Sequence, residues 1–217
     1  EDRILLIKNF EKNKEKNYNK SYNQRFNYIR AKFIGYSDYD EGLSELSVPF
    51  KTYAESIKLA RSGNLKMSLQ NLNEIIKKNN NNNFLLETKA DILFSYGYTK
   101  EAKKFYKKNL EKYPLNYYAQ IRIFENIEIK NLSNSDTEII FQNNKDLLYK
   151  FYNNKNVLLK YSELAQKLNK NEWLEFFNFF LSINDKQKEV FDNEIKNFKS
   201  TKDSDLLKLV NIIENIN

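Results

Sequence analysis

Apolar side chains along this chain recur every three or four residues and seldom alternate. In residues 99–113, Ala102, Phe105, Tyr106, Leu110 and Tyr113 follow i, i+3, i+4, i+8 and i+11, while Lys103, Lys104, Lys107 and Lys108 turn the other way. That period predicts a helix packed along one stripe and wetted behind it. The same pattern predicts a first helix over residues 1–16, a linker "NYNKS" at 17–21, and a second helix, "YNQRFNYIRAKFIG", ending near Gly35. An acidic loop, "YSDYDEGLSELSVP", then carries Pro49 into a longer helical region. The segment "NEWLEFFNFFLSI" is apolar on nearly every helical face, through Trp173, Leu174, Phe176, Phe177, Phe179, Phe180, Leu181 and Ile183. It predicts a central helix buried by neighbours, with an exposed aromatic patch for a partner as the alternative. Only four Gly and two Pro occur in 217 residues, too few for the tight turns of an all-β fold.

The pinch at Gly63 recurs 34 residues later at Gly97, and "LARSGNLKMSLQNLNEII" aligns with "LFSYGYTKEAKKFYKKNL". That interval is the tetratricopeptide (TPR) period. Ser56 and Leu59 precede the first glycine, with Ser68 and Leu72 after it; Ala90 and Leu93 precede the second, with Ala102, Tyr106 and Pro114 after it. Small residues let paired helices approach, glycine permits the turn, and Pro114 stops the second helix for want of an N–H. Ala90 and Ala102 are therefore expected to meet across one pair. A third unit is traced from Tyr117, with Asn131 standing 34 residues after Gly97, and a fourth through "VLLKYSELAQKLN" into "EWLEFFNFFLSI". The five-Asn run at 79–83 reads as a polar loop and helix entry. The fold expected is all-α, a right-handed TPR-like superhelix of seven to ten antiparallel helices. Residues 1–48 would form N-terminal helices and a loop, and residues 49–217 the repeat array.

Charge and chemistry narrow the function. No run approaches the roughly 18 apolar residues of a membrane span. With no Cys and no His, disulfides, thiolates, the usual zinc sites and the imidazole base are all missing. The net charge of +7 is almost entirely Lys, with Arg only at 3, 25, 30, 61 and 122, whereas bidentate phosphate and guanine contacts favour Arg. Abundant Lys, Asn, Ile, Tyr and Phe together suit an AT-rich genome. The reading is a solvated Lys-rich surface and no nucleic-acid partner. Carboxylate chemistry is left, with Glu87, Asp91, Glu125 and Glu128 on first helices of successive units, but no catalytic role is expected of this chain.

In a TPR array the first helices line a concave face. Equivalent positions counted back from Gly63, Gly97 and Asn131 select Tyr53, Ile57 and Arg61, then Glu87, Asp91 and Phe94, then Ile121, Glu125 and Glu128 as a partner-binding groove. Four carboxylates there would steer a basic or amphipathic protein segment; carboxylates merely neutralising nearby Lys would look the same.

Local strings in this order resemble the C-terminal region of bacterial HExxH zinc peptidases with TPR tails, the BepA-like group. "RFNYIRAKFIGY" resembles the helix that leaves the peptidase domain in alphaproteobacterial members. "YAESIKLARSGNLKMSLQNLNEIIKKN" and "FLLETKADILFSYGYTKEAKKFYKKNLEKYP" resemble the family's first two TPRs. Asn80 stands where a Pro is expected, and the later turns lack Gly. The resemblance implies a non-catalytic tail, lacking the zinc-binding domain, that begins at Glu1 as a fragment or processed product and needs no cofactor of its own. It also implies a periplasmic location and protein partners such as outer-membrane assembly components. The alternative is a free-standing TPR adaptor, cytoplasmic or in the envelope.

Overall fold

The computed structural model describes residues 20–37, 42–79, 82–182 and 188–215; the helix expected at 1–16 and most of its linker lie outside them. Among the described residues every regular element is helical. The helices are α1 (Lys20–Tyr36), α2 (Phe50–Arg61), α3 (Leu65–Lys78), α4 (Asn83–Ser95), α5 (Thr99–Lys112), α6 (Tyr117–Glu125), α7 (Asn134–Asn143), α8 (Lys145–Lys150), α9 (Lys155–Lys167), α10 (Asn171–Ser182), α11 (Lys188–Phe198) and α12 (Ser204–Glu214). The all-α expectation holds, with more helices than anticipated. One cause is Asn144, which parts α7 from α8 while its Nδ2 donates to the Ile140 carbonyl at 2.8 Å.

The chain divides into two compact units between Pro114 and Leu115, so α1 and the helices from Phe50 to Lys112 share one unit. The reason lies in α1, which packs closely on α2. Tyr28, Ala31 and Ile34 of α1 are buried with Tyr53, Ala54 and Ile57 of α2 in one core. A side chain at Gly35 would bring a Cβ within 2.7 Å of Ile57 Cβ and 3.0 Å of the Ala54 carbonyl, so glycine is what lets the two helices touch.

In the first unit the two expected hairpins form, α2 with α3 and α4 with α5. Gly63 and Gly97 have φ of +89° and +81°. At each turn two hydrogen bonds close the preceding helix: Asn64 N to Leu59 O at 2.8 Å with Gly63 N to Ala60 O at 3.0 Å, and Tyr98 N to Leu93 O with Gly97 N to Phe94 O, both 2.9 Å. This is the Schellman pattern, in which the left-handed residue satisfies carbonyls the helix would otherwise orphan. Ser56, Ser68, Ala90 and Ala102 are all fully buried, as small residues at close helix crossings should be. Asn64 and Asn82 cap α3 and α4 with their side-chain oxygens, so part of the Asn run does serve as a helix entry.

The second unit centres on α9, which packs against α6, α7, α8 and α10. Its first expected turn is absent: α6 stops at Glu125, and Asn131 lies exposed in the connection 126–133. The glycine-like turn comes later, between α9 and α10, where Asn169 takes φ of +54°. Asn169 N donates to Gln166 O at 3.3 Å and Lys170 N to Ala165 O at 3.0 Å, repeating the Schellman pattern with Asn in place of Gly. Trp173 is buried as expected, 2% exposed, and its ring meets Phe141, Phe176 and Phe177 at centroid distances of 5.3, 6.5 and 5.6 Å. Its Nε1 donates to Asp203 Oδ2 at 2.8 Å.

Candidate partner-binding surfaces

Within the first unit, the positions singled out for a groove are largely sealed. Tyr53 and Ile57 have no exposed surface, because α1 lies on the face they would line. Tyr28 of α1 meets the rings of Phe50, Tyr53 and Phe84 at 4.9, 5.4 and 6.1 Å, covering first helices from both repeats. The Tyr53 hydroxyl is 2.5 Å from Thr88 Oγ1; burial, foremost, pushes its pKa far above the tyrosine range. Glu87 is also buried. Asp91 accepts from the Tyr106 hydroxyl at 2.6 Å and stands 3.8 Å from Lys32 Nζ, so its carboxylate joins α1, α4 and α5. Arg61 is exposed, yet its Nη1 donates to the Ser37 carbonyl at 3.1 Å, beside Lys58 Nζ at 3.3 Å. Phe94 is half-buried. Of the positions expected to line an open groove, Tyr53, Ile57 and Glu87 are therefore buried, while Asp91 and Arg61 bond to neighbouring elements of the same unit.

The three positions in the second unit separate. Ile121 is buried, and Glu125 is held by Arg122 and by Asn156 Nδ2 at 2.9 Å. Glu128 is exposed, at the rim of a cleft of about 770 Å³ between the 127–131 segment and α9. Ile127 and Ile129 lie along one side, with Lys160, Glu163, Gln166 and Lys167 facing them from α9. The wall is built by two lysines seven residues apart, hence on one face of α9. Lys160 Nζ donates to Ile127 O at 3.1 Å and to Glu163 Oε2 at 2.7 Å. Lys167 Nζ donates to the carbonyls of Ile129, Lys130 and Leu132 at 2.8, 3.2 and 2.6 Å. These bonds supply donors to carbonyls of an irregular stretch of backbone that belongs to no helix. In the sequence both lysines read as solvated charge; their seven-residue spacing on one predicted helix was the available signal.

Electrostatics elsewhere in this unit serve the fold. Asp203 caps α12, accepting from Asp205 N and Leu206 N at 3.0 Å each. Burial raises the Asp203 carboxyl, but these two bonds, the Trp173 Nε1 bond and nearby Lys145 outweigh it and hold the pKa below the usual value. Tyr149 lies 3.2 Å from Asp205 Oδ1, and burial followed by that carboxylate raises its hydroxyl pKa. No group of three or more acidic side chains that could hold a metal ion occurs among the described residues, and no described helix is long and apolar enough to cross a membrane. No protein-family model, curated protein or solved structure matches this chain.

Proposed function

We propose that this chain is a non-catalytic scaffold built from TPR-like helical hairpins that binds a protein or peptide segment. The observation that supports this most is the repeated hairpin itself: two helix pairs, 34 residues apart, closed by the same pair of turn hydrogen bonds around a left-handed glycine. Repeated units of this kind bury small residues internally and spend their variable positions on surface. The binding site we favour is the cleft beside α9, since the first-helix face of the first unit is covered by α1. There Glu128 offers an exposed carboxylate, and the half-buried Ile127 offers an apolar side chain to an amphipathic segment.

The resemblance of "RFNYIRAKFIGY" and the two repeats to the BepA-like group supports a parent protein, a secreted zinc-dependent peptidase whose TPR tail this chain would be. On that reading the location is periplasmic and the partners include outer-membrane assembly components; zinc belongs to the upstream domain. A free-standing adaptor is the second reading, favoured by the unmatched second unit. An HExxH motif in the reading frame upstream of Glu1 separates the two.

The binding reading is tested by placing a photo-crosslinking residue at Glu128 and, for comparison, at exposed Lys202. A discrete protein adduct from position 128 alone, abolished by Glu163→Lys, is the expected result. Equal adducts from both positions, or none from either, would refute the cleft.

A further inference from the structure

Helix α5 carries more positive charge than any packing role requires. Lys100, Lys104, Lys108 and Lys112 recur at four-residue intervals, with Lys103 and Lys107 beside them, and only Glu101 and Glu111 oppose six cations in 14 residues. At 1.5 Å per residue the row from Lys100 to Lys112 runs about 18 Å. Lys100, Lys104, Lys107, Lys108 and Lys112 are exposed, and Lys100, Lys104, Lys107 and Lys108 form no ion pair among the described residues. Lys89 of α4 is drawn onto the same side: its Nζ lies 4.0 Å from the Phe105 ring centroid and donates to Asn73 Oδ1 of α3 at 2.6 Å. Burial lowers its pKa, and the charge of Lys108 lowers it further. Lys89 and Lys108 repel one another.

We propose that the outer face of α5 docks on a bilayer surface of anionic phospholipid. Codon drift raises lysine everywhere, yet it does not explain this placement. Residues 1–114 contain 22 Lys and Arg against 14 acidic residues, whereas residues 115–217 contain 14 against 15. The excess of +8 against −1 thus falls on the unit that carries α5. Neither α3 nor α5 contains Arg, so the planar fork that nucleic acid and protein carboxylates favour is missing, while diffuse point charges suit a field of lipid phosphates. Tyr98, 50% exposed, and Tyr113, 36% exposed, flank the helix at its two ends, the amphipathic residue type that settles at headgroup depth. Lysine stems reach past apolar surface to keep their ammonium groups at that same level.

The test is flotation of the intact chain with phosphatidylcholine vesicles, with and without phosphatidylglycerol. Expected is binding that requires the anionic lipid, weakens as salt shortens the screening length, and falls roughly 10²-fold in Lys100→Gln/Lys104→Gln/Lys108→Gln, at about five-fold per lysine. The exposed trio Lys155→Gln/Lys196→Gln/Lys202→Gln removes equal charge from the other unit and should bind as the parent does. The proposal is overturned if binding ignores lipid charge, or if the parent shows no binding at low salt. It is also overturned if both trios lose affinity equally, if the α5 trio binds as the parent does with unchanged circular dichroism, or if single- or double-stranded nucleic acid outcompetes the vesicles.

Discussion

Replacing Asp203 by Ala should unhinge the end of the second unit, and Trp173 is placed to report it. Two losses combine. The first is the helix cap: two α12 amides lose their acceptor, which costs about 0.5–2 kcal/mol. The second is the indole: Nε1 of a tryptophan only 2% exposed loses its partner, which adds about 1–3 kcal/mol. The pair gives about 1.5–5 kcal/mol, and with a urea slope near 2 kcal/mol per molar the midpoint should fall by about 0.8–2.5 M. The chain has a single Trp, so its fluorescence follows this unit alone. Asp203→Asn is the informative comparison, since an amide can still cap but must present either a donor or its single acceptor to the indole; its loss should be smaller. In the parent, the Asp203 pKa is lowered on folding, so its contribution is complete above the unfolded value and disappears as pH falls through the folded one. Acidification should therefore narrow the gap between parent and Asp203→Ala. A midpoint for Asp203→Ala within about 0.3 M of the parent at neutral pH would refute the argument.

Two further substitutions probe the first unit. Ala102→Leu adds bulk where α4 and α5 pack and no surface is exposed; overpacking should cost about 1–3 kcal/mol, read as a lower melting temperature. Ser68→Ala should do the opposite, because the buried Ser68 hydroxyl has no hydrogen-bond partner among the described residues. Removing it should stabilise the unit by about 1 kcal/mol, and thermal denaturation followed by circular dichroism checks the sign.

What could be read from the sequence follows from how local each device is. Gly63 and Gly97 announce themselves because a left-handed residue between two amphipathic stretches has one dominant use, and the hairpins they close are contacts between chain neighbours. Asn169 performs the same turn, yet it was hidden by the abundance of Asn and by the arithmetic that pointed to Asn131. Repeat spacing fixes the third turn only if each unit keeps its length, and here α6 is short and the connection after it long. The burial of Tyr53 and Ile57 was hidden for a different reason. Counting back from the turns identifies first-helix positions correctly, but nothing local to Tyr53 or Ile57 says that Tyr28, Ala31 and Ile34 will lie over them. Gly35 carried that information, since a glycine inside an apolar helical stripe marks a close approach; it looked like a helix end because it is one residue from it. Trp173 could be placed because a helix apolar all round has few places to go except inward.

Lys167 behaves as an ion that the chain supplies to itself. Its ammonium group donates to three carbonyls of one loop, as a bound cation would be coordinated. The same arrangement occupies the nitrogen: an amine-directed reagent reaches Nζ only after it leaves the carbonyls of Ile129, Lys130 and Leu132. Its reaction with an amine-directed ester therefore reports the parting of the 129–132 carbonyls from α9.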